Sequence, residues 1–257
     1  MNKRPLILIT NDDGIQAQGI RTLIKMMRQI GEVIVVAPDS PMSGMGHAVT
    51  ISDPLRINCI KKEEGYEEYS CNGTPVDSVK LGEKVIASRK PDLLVSGINH
   101  GSNSSINIVY SGTMGAVIEG AIYGIPSIGF SLLDYSPGAD FIHTEAFIKK
   151  ITVKVLENGL PEGVCLNVNI PAVNGYDIRG IKICRQAKAT WEEDYDVHTD
   201  PHQRNFYWLH GVFKNMDNAL DTDEWALQNH YVSITPVKID LTDHQTINLL
   251  ENWEFNN

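Results

Sequence analysis

Short runs of apolar residues alternate with amphipathic stretches along the first two thirds of the chain. The apolar runs Leu6–Ile9 and Val33–Ala37 are typical of strands that are buried on both faces of a parallel sheet. Between them, apolar residues recur three and four positions apart over Gly19–Ile30, which predicts a helix that packs on this sheet and ends at Gly31. A strand–helix–strand order of this kind implies a right-handed parallel crossover.

The same alternation continues to about residue 184 and resumes near the end of the chain. Further strands are predicted at Ala48–Ile51, Leu55–Ile60, Tyr66–Cys71, Leu93–Ser96, Ser127–Ser131, Cys165–Ile170, Ile181–Cys184 and Tyr231–Thr235, the last closed by Pro236. Further helices are predicted from Thr74 as N-cap to about Ala87, over Met114–Tyr123 with Thr113 as N-cap, over Phe141–Leu156, and over the capped segment 221–227. The pattern predicts an α/β fold, a Rossmann-like and mostly parallel sheet flanked by helices.

From residue 185 onward the sequence changes character. Aromatic residues stand among charged ones outside any clean strand–helix alternation; they are Trp191, Tyr195, Phe206, Tyr207 and Trp208. A monomer would expose much of this aromatic surface, and large exposed apolar patches are uncommon on monomers. We therefore predict one domain over 1–257, with a core over 1–184 and an irregular, β-rich oligomerisation arm over 185–257, assembled as a homodimer or homotetramer. The alternative is that these aromatics fold back over an edge of their own sheet.

Composition narrows the functional classes. The chain has 257 residues, is 42% hydrophobic and has a net charge of −10, so its overall field repels nucleic-acid polymers. No stretch approaches the length of a membrane span, and the first apolar run is too short for a signal peptide. The four cysteines have no zinc-ligand spacing, which is typical of reduced thiols. These features favour a cytoplasmic protein without a membrane partner.

Three loops follow the carboxyl ends of predicted parallel strands, and their side chains are oxygen donors. Asp12 and Asp13 follow the first strand, and Gly14 lets the chain bend so that both carboxylates reach one point. Ser43 follows the second strand, and Asn99 follows the strand that starts at Leu93. Such loops meet in the crevice at the switch point of an open sheet. Two carboxylates, a hydroxyl and an amide oxygen suit Mg, Mn or Ca and not zinc. A solvated turn with an Asp as N-cap is the alternative interpretation of Asp12 and Asp13.

Several ordered motifs together resemble one known family. They are Thr10-Asn11-Asp12-Asp13-Gly14-Ile15, Val36-Ala37-Pro38-Asp39, Ser43-Gly44-Met45-Gly46-His47, Gly73-Thr74-Pro75-Val76-Asp77, Ser96-Gly97-Ile98-Asn99, Tyr110-Ser111-Gly112-Thr113, Asn167-Val168-Asn169-Ile170-Pro171 and Ser233-Ile234-Thr235-Pro236. The chain resembles the SurE (survival protein E) family of metal-dependent 5′/3′-nucleotidases over most of its length. It departs from the family pattern at Ser78, at Ser104-Ser105 and at Asn107, which leaves the predicted ligands intact but alters the loop on the substrate side.

The resemblance implies a set of site residues and a reaction. It implies one divalent cation per subunit (Mg, Mn or Ca) on Asp12, Asp13, Ser43 and Asn99. It implies a phosphate pocket formed by Asn11, Gly44, Asn103, Ser111, Gly112 and Thr113. The expected substrates are nucleoside monophosphates, and the expected assembly is a dimer or tetramer whose C-terminal region reaches a neighbouring subunit.

The expected reaction is hydrolysis of a phosphomonoester by water. Asp12 and Asn103 are the predicted catalytic residues. Asp12 would orient or deprotonate the water, and Asn103 and the helix start at Thr113 would hold the phosphate. His47 and His100 lie nearby in the sequence, but we expect both to be incidental.

Two alternatives remain at this point. A phosphatase with an aspartyl-phosphate intermediate would use Asp12 or Asp13 as nucleophile, although the spacing Asp-Asp-Gly differs from Asp-x-Asp. A non-enzymatic, metal-dependent nucleotide-binding protein is the second alternative.

Overall fold

The computed structural model describes residues 4–136, 138–172, 178–253 and 255. The strands are β1 (Leu6–Thr10), β2 (Glu32–Pro38), β3 (Ile57–Glu63), β4 (Tyr66–Cys71), β5 (Leu93–His100), β6 (Ser127–Leu132), β7 (Val164–Ile170), β8 (Gly180–Ile183), β9 (Ala189–Thr199), β10 (Asn205–Asn215) and β11 (Tyr231–Lys238). The α-helices are α1 (Gln18–Ile30), α2 (Pro75–Leu81), α3 (Gly112–Ile122), α4 (Glu145–Asn158), α5 (Asp223–Gln228) and α6 (His244–Glu251). A π-helical turn extends α2 to Ile86, and 3-10 turns lie at Ser105–Val109 and Ile142–Thr144.

The central sheet has the order β3-β4-β2-β1-β5-β6-β7-β11-β8 in the part of the chain that the structure describes. The strands from β4 to β7 run parallel, while β3 is antiparallel to β4 and β11 is antiparallel to β7. The predicted α/β fold with a mostly parallel sheet is therefore confirmed. The chain builds outward from β1 to β2 and β4, and then crosses back to place β5 on the other side of β1. The switch point of the sheet thus lies between β1 and β5.

Both faces of the sheet are covered, as the apolar run in β1 predicts. Ile7 and Ile9 pack on one side in the cluster that includes Leu23 of α1, and Leu8 packs on the other side with Val79 of α2 and Met114 of α3. Alternate residues of one strand thereby serve two separate layers of the core. This packing fixes the height at which β1 ends and its polar loop begins.

The segment Ala48–Ile51 is not a strand, and that prediction is wrong. Thr74 caps α2 and Asp77 completes a capping box with it. The hydroxyl of Thr74 donates to the Ala48 carbonyl at 2.7 Å, and the backbone N–H of Thr50 donates to an Asp77 carboxylate oxygen at 3.1 Å. These side chains take backbone groups that a sheet would need, and Ile51 is left exposed.

Two strand boundaries also differ from the prediction. β3 begins at Ile57, not Leu55, and continues to Glu63, beyond the predicted end at Ile60. Pro236 lies inside β11 opposite Leu166 of β7. The pairing of β11 with β8 ends at Ile234, so the missing N–H of proline falls beyond the stretch that is paired on both sides.

The arm contains a regular hairpin, where the sequence predicted an irregular segment. β9 and β10 pair antiparallel over their whole length and form a sheet of their own. Most of their residues are exposed, so most of the hairpin does not fold back over the central sheet, whereas Trp191 contacts Asn107 of the core. The last helix, α6, has no buried residue. Within the described ranges, no helix is both long enough and apolar enough to cross a bilayer.

Candidate active site

A cavity of about 320 Å³ opens at the carboxyl ends of β1 and β5, at the switch point of the sheet. The structure brings six of the predicted site residues to its wall, namely Asp12, Ser43, Gly44, Asn99, Asn103 and Ser111. Residues without a predicted role complete the wall, among them Tyr110, Tyr135 and Trp191. The four other predicted residues, Asn11, Asp13, Gly112 and Thr113, do not line the cavity but adjoin residues that do.

The loop that carries Ser43 is tied to the end of β1. The backbone N–H of Met42 donates to the carbonyl of Asp12 at 2.7 Å, which holds the two loops against each other. Gly44 has a φ of +76°, a left-handed conformation that favours glycine. The chain therefore turns at Gly44 and leaves Ser43 at the mouth of the cavity.

Asp12 is a buried carboxyl group with one strong side-chain partner. It is only 3% exposed, and its Oδ1 accepts a hydrogen bond from the Thr113 hydroxyl at 2.6 Å. Burial raises the pKa of Asp12 to about 6, against the opposing effect of the Thr113 hydrogen bond and with a contribution from the charge of Asp13. Two carboxylates in one low-dielectric place favour a counter-ion.

The start of α3 differs from the prediction in a way that explains this contact. The N-cap is Ser111, whose Oγ accepts from the backbone N–H of Met114 at 3.0 Å, so the prediction of Thr113 as N-cap is wrong. Thr113 lies inside the first turn, where its hydroxyl reaches Asp12. A Cβ on Gly112 would lie 2.9 Å from the Cβ of Asp12, and only glycine permits this close approach of helix and loop.

Asn99 presents its oxygen toward Asp12. Its Nδ2 donates to the carbonyls of His100 and Gly101 at 3.2 and 3.0 Å, which uses both amide hydrogens. Its Oδ1 lies 3.5 Å from the Thr113 hydroxyl, on the side where Asp12 is found. The amide oxygen is thereby held near the Thr113 hydroxyl that also binds Asp12, and it remains available as a cation ligand.

Asp13 and Asn11 complete the polar surroundings. Burial raises the pKa of Asp13, whose Oδ2 accepts from the backbone N–H of His100 at 3.3 Å. Asn11 is fully buried, and its Nδ2 donates to the carbonyl of Gly14 at 2.9 Å. Its Oδ1 has no hydrogen-bond partner among the described residues.

These residues fit a hard divalent cation. Among the described residues, no group of three or more His, Cys, Asp or Glu side chains is arranged to hold a metal, so a cation here depends on Ser43 and Asn99 as well as on the two carboxylates. All four donors are oxygens, which suits Mg, Mn or Ca. A positive charge would also offset the cost of burying Asp12 and the repulsion between the carboxylates of Asp12 and Asp13.

Asn103 is held by a network that the sequence analysis did not identify. Its backbone N–H donates to Oδ1 of Asn169 at 2.8 Å, its carbonyl accepts from Nδ2 of Asn167 at 2.7 Å, and its Nδ2 donates to the Ser131 hydroxyl at 2.8 Å. Asn169 also donates to Asn167 at 2.9 Å. The signal in the sequence was two asparagines two positions apart in a buried strand, because such residues share one face.

His47 does not line the cavity that contains Asp12, whereas His100 does. The His47 ring nitrogen Nε2 is 2.9 Å from Glu119, a buried carboxylate that also binds Lys80. His47 lines a second cavity of about 510 Å³, whose wall is mostly apolar and includes Ile118 and Val237. None of the predicted metal ligands contributes to that second wall.

Comparisons with known proteins identify the family of this chain. The sequence profile of the family described as survival protein SurE matches residues 7–193. A relative from Christiangramia forsetii, named 5′-nucleotidase SurE, is 60% identical over 99% of this chain and 98% of its own. A second, from Flavobacterium psychrophilum and of the same name, is 58% identical over 98% of this chain and 99% of its own. The crystal structure of a SurE protein from Aquifex aeolicus superposes with a TM-score of 0.83 at 39% identity, covering 97% of this chain and all of the other. The chain therefore belongs to the survival protein SurE family.

Proposed function

We propose that this chain is a divalent-cation-dependent 5′-nucleotidase that hydrolyses nucleoside 5′-monophosphates, and also 3′-monophosphates, to nucleoside and phosphate. The relatives named 5′-nucleotidase SurE support the class of reaction. The observation that carries the cation dependence is the adjacent pair of a buried Asp12 and a half-buried Asp13, both with pKa values that desolvation raises. They stand beside the oxygen of Asn99, at the wall of an open cavity.

The cation would be held by Asp12, Asp13, Ser43 and Asn99, and it would supply positive charge to the phosphoryl oxygens and acidify a bound water. Side chains of the protein would position the phosphate. Asn103 lines the cavity with one amide hydrogen committed to Ser131, so its second amide hydrogen is available to a phosphate oxygen. Ser111 accepts from Met114 through its oxygen, which leaves its hydroxyl hydrogen available for the same use.

Asp12 is the group we assign to the attacking water. Its carboxylate is held by Thr113 from inside the protein, and Asp12 also lines the cavity. It would accept a proton from water as the water oxygen bonds to phosphorus, while the ester oxygen leaves with the nucleoside and takes up a proton from solvent. No arginine lines this cavity within the described residues, so the charge of the cation is the main stabilisation for the transferred group.

The test uses the purified full chain, first dialysed against a chelator. We expect turnover of 5′- and 3′-nucleoside monophosphates only after Mg or Mn is restored. Full activity in excess chelator would refute the cation dependence. Calorimetric titration with Mn measures the metal site without relying on turnover.

The variant Asp12→Asn tests the assignment of this residue. We expect at least ~100-fold lower kcat, the scale of a general base or a major electrostatic contribution. Asp53→Asn is the matched control, because Asp53 is an exposed acidic residue away from the cavity. Near-normal turnover by the Asp12 variant contradicts the assignment. Labelled phosphate retained on the parent protein after acid quench would favour an aspartyl-phosphate intermediate instead.

A further inference from the structure

The hairpin of β9 and β10 forms part of the wall of a second cavity beside the proposed phosphate site. This cavity, here called the aromatic lobe, has a volume of about 430 Å³ and is lined by Tyr110, Trp191, Glu193 and Leu209 together with Gly44. Resting on the proposed function, we propose that the aromatic lobe is the nucleobase subsite and that Trp191 is the surface on which the base stacks.

The aromatic lobe is continuous with the catalytic cavity. Gly44, Tyr110 and Trp191 line both. A substrate whose phosphate lies beside Asp12 and Asn103 would therefore extend its other end past these three residues. In a nucleoside monophosphate that other end is the base, a planar ring whose faces stack well on aromatic side chains.

Trp191 is held in place before any ligand arrives. Its Nε1 donates to the Asn107 side chain at 2.8 Å, and its ring meets Phe213 edge to face with centroids 5.5 Å apart. Despite these contacts the side chain remains 37% exposed. A ring fixed in advance costs little entropy on binding.

The pairing register of the hairpin leaves space next to Trp191 in the aromatic lobe. Trp191 and Glu193 are two positions apart in β9 and so share a face, and their partners in β10 are Phe213 and Gly211. Gly211 has no side chain to fill the space next to Trp191. Trp208 pairs with Asp196 and points to the opposite face of the hairpin.

Charge favours a base over a further phosphate in this lobe. Glu193 lines the lobe, and among the described residues its carboxylate has no ion-pair or hydrogen-bond partner. His210 also lines the lobe, and its ring nitrogen lies 3.6 Å from the carboxylate of Asp196, which balances the charge that a protonated ring would carry. An unpaired carboxylate repels a second phosphate group but accepts hydrogen bonds from the N–H groups at the edge of a base. The occupant we assign is accordingly an uncharged ring and not the continuation of a polyphosphate chain.

The experiment compares two substrates that share the phosphate end. Initial rates are measured with a nucleoside 5′-monophosphate and with ribose 5-phosphate, which lacks the base, for the parent and for Trp191→Ala. We expect kcat/KM for the nucleotide to fall by about 5- to 150-fold, mainly through KM, which is the scale of one base–aromatic stack. The value for ribose 5-phosphate should stay within about twofold of the parent. Trp191→Phe should recover most of the loss, and Asp53→Asn, at an exposed residue that lines neither cavity, serves as the control.

The outcomes separate this inference from the proposed function. Equal losses on both substrates would show that Trp191 only supports the fold, and no loss would place the base elsewhere. With short polyphosphate measured as a third substrate, a loss confined to it would assign the lobe to phosphate. Each of these results overturns the inference while nucleotidase activity stands. A parent that hydrolyses neither substrate contradicts the proposed function. Calorimetric binding of a free nucleoside then still tests the lobe, because it should be lost in Trp191→Ala.

Discussion

Thr113 offers a direct test of how the fold supports the candidate site. Its side chain is fully buried, and its hydroxyl donates to Oδ1 of Asp12 at 2.6 Å. Thr113→Val keeps the shape of the side chain and removes only this donor. Thr113→Ser keeps the donor and removes the methyl group, which packs toward Gly129. The two variants therefore separate the hydrogen bond from the packing.

The expected size of the effect follows from the chemistry of the contact. A hydrogen bond to a charged group contributes about 1.5–3 kcal/mol, and the buried carboxylate would lose it without replacement. We expect the valine variant, free of metal at pH 8, to lose that much free energy of unfolding. The pKa of Asp12 should also rise, because the Thr113 hydrogen bond lowers it. A less firmly held Asp12 should reduce kcat/KM by about 10- to 100-fold.

The assay combines urea unfolding in chelator, calorimetric titration with Mn, and steady-state kinetics. The serine variant should lose about 1 kcal/mol for the buried methyl group and keep its kinetics. The kinetic constants therefore distinguish the two variants, whose expected losses of stability are of similar size. If the valine variant matched the serine variant in kcat/KM and in Mn affinity, the Thr113 hydroxyl would have no part in positioning Asp12, and the reasoning would be refuted.

Three further predictions concern other parts of the molecule. Asn169→Ala removes the acceptor for the backbone of Asn103 and should lower kcat by about 10-fold through misplacement of that residue; unchanged steady-state kinetics would contradict this. Glu68→Gln should lower the free energy of unfolding by about 1–3 kcal/mol at pH 7. Burial acts to raise the pKa of Glu68, but the bonds from Arg21 and Tyr66 outweigh it and lower that pKa. The stabilisation is therefore present above the ordinary pKa and lost as pH falls through the folded one. Urea unfolding at successively lower pH should show the difference between parent and variant shrink, and a difference that does not change with pH would contradict this. Light scattering at micromolar concentration should give the mass of a dimer or tetramer, and a monomeric mass with full activity would disprove the subunit contact.

The parts of the fold that were predicted from sequence are those in which burial alone sets the pattern. β1 lies between two layers, so nearly every residue from Leu6 to Thr10 is buried and the run reads as continuously apolar. The strand must then end where polar residues begin, which places Asp12 at the edge of the sheet. Since parallel strands end at a common edge, the meeting of Asp12, Ser43 and Asn99 around one cavity followed from topology.

The predictions that failed concern segments whose structure depends on distant side chains. Ala48–Ile51 has the composition of a strand, but Thr74 and Asp77 of another element bind its backbone. Thr113 has the chemistry of an N-cap, but Ser111 two positions earlier takes that place and Asp12 takes the hydroxyl. In both cases the local sequence was compatible with the predicted structure, but a hydrogen bond to a side chain distant in the sequence determined the structure that formed.

The hairpin was missed as regular structure for a different reason. Trp191, Glu193, Tyr195 and Val197 alternate on one face of β9, so the two-residue period is present. Both faces of the hairpin are largely exposed, and charged residues occur on each. Alternation is recognised by the contrast between an apolar and a polar face, and that contrast is weak here. The same mixture of aromatic and charged residues is what the aromatic lobe would require.

The asparagine network shows how the sheet prepares the site at the level of single hydrogen bonds. Asn167 and Asn169 are buried in β7, where an unpaired amide would destabilise the fold. Each is paired with the other and with the backbone of Asn103. The loop that carries Asn103 is therefore held, without any ligand, by side chains of β6 and β7, the strands two and three places from β1 in the sheet. Because Asn103 is already held in place, little conformational entropy would be lost there if it binds a phosphate as proposed.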